Sequence, residues 1–388
     1  MKFKILTIHL GFALTGIVTT MLGPILPLLT GQFHLSDAQA GNLFWFQFGA
    51  SPTGALIASK VLSRWGAAWT VPIGMFLIAC GVSSIAVGSF AMVQLGIALY
   101  GLGLGFALPS TNLLIVEMVS QGQASALNLL NLSWTLGALA GPYAIKAMLQ
   151  PVGLRGFLLL LAALVLAVGV VEALSFPKGN IVSPETRRGK LLSPHRLSFA
   201  VLMFFFMFLY VGIENGFVGW VPMFSIRSQN TSPNWTAFVN SSFWAALLVG
   251  RLTAPLVLRR ARESTVITGG LALSAVGIVI AIISPSLLVL EIGVLLSGLG
   301  MAAIFPTAIA IFAEWYGTGG AGSAVLGLCG LGGAVVPWLV GVVSDRSQNL
   351  RMGLAVTLAC TAVSALLFWR LNKVTQGLAP SLLARTAE

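Results

Sequence analysis

Charge is what this chain of 388 residues has least of: 21 Lys+Arg and 10 Asp+Glu make up 8% of it, against roughly 25% in an ordinary soluble domain. With 57% apolar residues, a water-soluble fold could not cover its own core. A soluble enzyme, a disordered chain and a secreted scaffold are excluded. Cysteine is scarce too. Cys80, Cys329 and Cys360 lie far apart in apolar runs, without ligand spacing or a disulfide framework, and read as small core hydrophobes. No Walker sequence is present, which excludes an ATP-driven pump formed by this chain alone, and no His/Cys cluster or Ser/His/Asp arrangement emerges. The run GLGLG at 101–105 sits inside an apolar stretch with no strand before it, so close helix packing explains it better than a phosphate loop. No cofactor and no metal are expected, and no enzyme. What remains is the composition of a polytopic helical membrane protein.

Twelve stretches reach the roughly 20 apolar residues that cross a hydrocarbon layer: 6–29, 42–61, 70–88, 91–116, 125–148, 155–175, 198–224, 235–257, 265–283, 286–312, 322–343 and 353–371. The first has no small-residue cleavage site and reads as a retained helix. The net charge of +11 bears on topology, not on nucleic acid. With the N-terminus inside, 15 basic residues fall in cytoplasmic segments and four, Arg155, Arg227, Arg346 and Arg351, on the other side. That bias predicts a multi-pass protein of the plasma (inner) membrane with both termini cytoplasmic. The polar stretch 176–197 reads as a cytoplasmic linker between six-helix bundles at 1–175 and 198–388, the second with a short tail.

Sliding the chain on itself by 195–197 residues exposes a repeat. GIALYGLGLGFALPSTNLLIVEM (96–118) overlays GVLLSGLGMAAIFPTAIAIFAEW (293–315). Gly96, Gly101, Gly103, Pro109 and Glu117 fall on Gly293, Gly298, Gly300, Pro306 and Glu314. Gly54 meets Gly250 and Arg64 meets Arg260 at nearly the same shift. The expected fold is therefore an all-α membrane protein of twelve transmembrane helices in two parallel six-helix repeats.

A duplicated six-helix unit with a basic central loop resembles the major facilitator superfamily over the whole chain. That family's loop after span two usually reads G-x-x-x-D-R-x-G-R-R. Here it runs from Ser59 to Ala68, keeping Arg64 and Gly66 but not the Asp. LGPILPLL (22–29), SALNLLNLSWTLGALAGP (125–142), YVGIENGFVGWVPMF (210–224) and NSSFWAALLVGRL (240–252) resemble the fucose–proton symporter family, above all its sodium-dependent glucose transporter branch. The fucose symporters' acids in spans one and four fall near Gly23 and Leu108, so their proton route is not carried over. Glu214 does match the glucose branch.

An ionisable group inside a bilayer needs a cavity or a partner. Glu214 lies mid-span beside Asn215, one turn after Tyr210, and reads as the coupling acid for a proton or sodium ion. Arg251, on the next helix, is expected nearer the cytoplasmic end, too far for direct contact with it. Asn128, Asn131 and Thr135 share one helical face, with Trp134 at its edge. Trp45, Gln47, Asn112, Asn240 and Trp244 add further amides and indoles. Amides supply donors and acceptors for hydroxyls, and indoles stack on the C–H face of a sugar ring. The same groups could instead bridge helices. Arg64 with Glu117, and Arg260 with Glu314, sit at cytoplasmic helix ends with Lys60 and Arg251 nearby, and read as gating pairs. Ser36 and Gln39 read as a capping box before span two.

These readings predict a monomeric secondary transporter that works by alternating access on a small molecule, a neutral sugar or related polar solute, by symport. The rival within the fold is an efflux antiporter, since Gly137–Pro142 resembles the start of the drug–proton antiporter motif. A membrane enzyme is the more distant rival.

Overall fold

The computed structural model describes residues 2–119, 123–175, 194–230, 233–316, 325 and 327–385. Among them lie fourteen helices and no strand. In chain order these are α1 (Lys2–Thr20), α2 (Leu22–Phe33), α3 (Asp37–Trp65), α4 (Ala67–Ile85), α5 (Phe90–Met118), α6 (Gln123–Leu149) and α7 (Gly153–Ser175). There follow α8 (Pro194–Gln229), α9 (Pro233–Leu258), α10 (Glu263–Ile283), α11 (Leu287–Met301), α12 (Ile304–Tyr316), α13 (Gly332–Ser347) and α14 (Leu350–Arg385). Ten stretches are apolar enough to cross a membrane by length and composition. The more polar α3 and α6, of 29 and 27 residues, complete twelve spans.

Three expected spans are broken, the eleventh by a turn at Gly330 and Leu331, and proline explains the other two. Pro24 lacks an N–H and its ring crowds the carbonyl four residues back, and the first span divides there into α1 and α2 at Met21. Pro306 acts in the same way on the tenth, where Ala302 and Ala303 separate α11 from α12. Elsewhere the helices absorb their prolines, as α5 does Pro109.

Glycine sets the closest contacts, and it does so twice. A Cβ on Gly81 would stand 2.6 Å from the carbonyl of Gly96, which joins α4 to α5. A Cβ on Gly277 would stand 2.6 Å from the carbonyl of Gly293, which joins α10 to α11. Gly74 with Gly103, and Gly270 with Gly300, make the same contact about two turns further on. The repeat read from the sequence is thus a repeat of backbone packing. Gly101, Gly103 and Gly105 each meet a backbone carbonyl of α3 or α4, as close packing requires.

The first repeat meets the second through α2 on α8, α3 on α13 and α6 on α9. Gly23 packs on Gly219, Gly41 on Trp338 and Gly341, and Ser241 donates to the Leu139 carbonyl at 2.9 Å. These contacts gather where α3 begins and α8 ends. Toward the other end Asn128 and Asn131 of α6 and Leu252 and Leu256 of α9 are exposed. Among the described residues the repeats close on each other at the Asp37 end and are the more open at the opposite one.

Candidate functional site

Glu214 lies on the inward face of α8, one turn after Tyr210. The Tyr210 hydroxyl stands 2.7 Å from Glu214 Oε2 and 3.0 Å from the carbonyl of Met301. That carbonyl ends α11, where the break before α12 leaves it free of a regular helix partner. A phenol has one proton to donate, and here two oxygens flank it.

Arg251 of α9 makes no direct ion pair with Glu214 among the described residues, as its place along the helix predicts. Its guanidinium lies within electrostatic reach of both Glu214 and Tyr210. Its Nη1 also donates to Thr135 Oγ1 of α6 at 3.3 Å, bridging the two repeats. Distance along the helix suggested a group near the cytoplasmic end, but a long side chain can reach back toward the membrane centre. Arg251 thus faces the Glu214 cluster from α9 while bonded to Thr135, and its expected part in gating is not tested.

The indoles and amides divide into used and unused groups. Trp134 of α6 and Trp244 of α9 meet edge to face across the repeats at 5.7 Å. Trp45 and Trp338 do the same on α3 and α13 at 6.3 Å. Gln47 is engaged at both amide atoms: its Nε2 donates to the Thr19 carbonyl at 2.8 Å, and the Tyr100 hydroxyl donates to its Oε1 at 2.9 Å. It ties α1, α3 and α5 together, which leaves one N–H and one lone pair of its amide beyond these bonds. Asn112, Asn131 and Asn215 each donate to the carbonyl four residues back, which leaves their carbonyl oxygens to other partners. Asn128 is exposed. Asn240 donates to the Val218 carbonyl at 2.9 Å. Three buried polar atoms around this region have no hydrogen-bond partner: Asn240 Oδ1, Trp244 Nε1 and Arg251 Nε. Spaced over about 16 Å of α9, two donors and one acceptor without partners suit a polyhydroxylated ligand.

At the open end, Arg64 and Arg260 are exposed. The side chains of Glu117 and Glu314 lie outside those described, so the expected pairs are not tested. At the closed end stands an ion pair that sequence reasoning missed. Asp37 accepts from Arg227 through both oxygens, at 2.7 and 2.8 Å, and Ser344 donates to its Oδ2. The capping box of Ser36 and Gln39 forms as expected, and that local explanation hid the carboxylate's second role. The available signal was the charge count, which puts Asp37 and Arg227 on one side of the membrane. Two other acids went unread: Glu172 of α7 and Glu291 of α11 are buried and retain oxygens without a partner. Both lie inside apolar spans, which alone should have flagged them.

Comparison with known proteins accords with this geometry. The profile of the Major Facilitator Superfamily matches residues 8–325. The glucose/mannose transporter GlcP of Bacillus subtilis is 26% identical over 376 residues, covering 91% of each chain. The fosmidomycin resistance protein of Escherichia coli is 24% identical over 358 residues, covering 83% of this chain and 84% of the relative. A bacterial homolog of the human lysosomal transporter Spinster, solved inward-facing and occupied, superposes with a TM-score of 0.79 at 14% identity, over 96% of this chain and 97% of the other. The transporter FucP in its outward conformation gives 0.64 at 18% identity, over 95% and 98%.

Proposed function

We propose that this chain, which belongs to the Major Facilitator Superfamily, carries a neutral sugar together with a cation, with Glu214 as the coupling acid. It is a multi-pass membrane transporter and not an enzyme. The finer reading rests above all on one observation. A mid-membrane carboxyl, its phenol and a guanidinium sit at the junction of the two repeats, beside paired indoles and unpartnered polar atoms.

The wiring favours a proton over sodium. With a proton on Glu214, the acid donates to Tyr210 and Tyr210 donates to the Met301 carbonyl, so every group is served. Without it, one acceptor goes unserved, and Arg251 is the nearby cation that can answer the charge. The sugar would use the Trp134 and Trp244 rings, the Asn128, Asn131 and Asn215 amides, and the free atoms of Asn240 and Arg251, with Trp45 and Asn112 contributing from the first repeat. With the termini cytoplasmic, the closed Asp37 end faces outward and this conformation is open to the cytoplasm. Arg64/Glu117 and Arg260/Glu314 then act as gating pairs on the open side, and a monomer suffices. The relatives lend support, since one carries glucose and mannose by its name.

Uptake of labelled glucose, mannose and fucose into proteoliposomes tests this, with pH and sodium gradients imposed separately. Accumulation driven by an inward proton gradient is expected. The second reading, efflux, draws on the fosmidomycin resistance relative and on the Gly137–Pro142 stretch. Proton-driven export of an amphipathic compound with no sugar uptake would favour it instead.

A further inference from the structure

Where α8 begins and α14 leaves the bundle, the two helices enclose a groove of about 790 Å³. Its walls are apolar, from Leu197, Val201 and Leu202 of α8, and its rim is Trp369, Arg370 and Lys373 of α14. No acid lines it. Val201 and Trp369 are 45% and 54% exposed, although both sit on helices that cross a bilayer. Lipid, not water, must cover such a trough.

Depth decides which part of a lipid meets the rim. Trp369 follows the start of α14 at Leu350 by about 28 Å at 1.5 Å per residue, close to the ~30 Å of a hydrocarbon core. The indole therefore stands at the interface, where tryptophan concentrates. Lys373 is held there, its ammonium 3.8 Å from the Trp369 ring centroid, and Arg370 is exposed beside it. An apolar trough that ends in two cations at headgroup depth complements one class of ligand. We propose that this groove binds an anionic phospholipid, its phosphate held by Arg370 and Lys373 and an acyl chain laid along Leu197, Val201 and Leu202. A zwitterionic lipid would fill the trough too, but its own ammonium would be repelled by the two cations at the rim.

The test uses the full chain in nanodiscs of phosphatidylcholine doped with phosphatidylglycerol, released into a native mass spectrometer. The parent should keep one phosphatidylglycerol. R370Q/K373Q should weaken its retention about 30-fold, from two cations near the surface. Val201→Trp, which fills the trough and keeps both charges, should lose the lipid as well. Arg259→Gln with Arg262→Gln removes two exposed cations outside the groove and should change nothing. Thermal unfolding in phosphatidylcholine alone should match the parent for each variant. Unchanged retention in R370Q/K373Q or in Val201→Trp overturns the site. Equal loss in the Arg259/Arg262 control would also overturn it, leaving only diffuse attraction to basic residues.

Discussion

Arg227 grips Asp37 through both carboxylate oxygens, at 2.7 and 2.8 Å, across 190 residues of sequence. The pair fastens α3 of the first repeat to α8 of the second, and Ser344 of α13 adds a third bond. The Asp37 side chain is 10% exposed and that of Arg227 40%. Its worth falls between an exposed pair and a buried charged hydrogen bond, about 1–2 kcal/mol. That is about a tenfold shift in any equilibrium that breaks it.

Asp37→Asn should therefore loosen the closed end without unravelling α3, since Ser36 and Gln39 still cap it. A cysteine at buried Ser241, whose hydroxyl meets the Leu139 carbonyl across the repeats, reports the change. Its labelling rate should rise about tenfold in the variant. An unchanged rate would make the ion pair an ornament of this conformation.

The opposite sign is expected at the other end. Glu117→Gln and Glu314→Gln remove the acids proposed to hold the cytoplasmic loops together, and should bias the protein toward the open-inward state. Labelling of a cysteine at exposed Asn128 should increase in both. If neither variant responds, Arg64 and Arg260 are solvated helix ends.

Glu214→Gln keeps shape and most hydrogen bonds but holds no exchangeable charge. Gradient-driven accumulation should fall to the level of simple equilibration, while exchange of labelled for unlabelled substrate persists at a reduced rate. A variant that concentrates substrate as well as the parent would move the coupling ion elsewhere.

Topology has its own check. Cysteines at positions 185 and 385 should react only with a cytoplasmic reagent, and one at position 230 only from outside. Positions 185 and 230 reacting from the same side would break the twelve-span arrangement.

Periodicity and composition carried the spans and the repeat, because burial in lipid leaves its mark on every residue of a helix. Contacts between distant residues leave no such mark. Gln47 bonds Tyr100, 53 positions away, and nothing in its sequence neighbourhood announces that partner. Asp37 was explained completely by its cap, so its partner was not sought. Arg251 was placed by its rank along α9, yet its function depends on where its guanidinium reaches. Two of the helix breaks were open to view in Pro24 and Pro306, but prolines in α5, α6 and α8 break nothing. Pro306 deprives the Ala302 carbonyl four residues back of its N–H, and Tyr210 serves the neighbouring carbonyl of Met301 at the same break.

The glycine seams of α4 on α5 and α10 on α11 have a mechanical meaning. Backbone lies against backbone there, with no side chain between to change rotamer and let one helix creep past the other. Such a joint is stiff in shear. If both repeats contain one, neither can deform gradually when the protein changes state. The strain of each transport cycle is thrown onto what is left soft: the broken first, tenth and eleventh spans, and the thin line of contacts where the repeats touch. A substitution that pads a seam should then act as a fault in the frame, felt as lost folding before it is felt as lost transport.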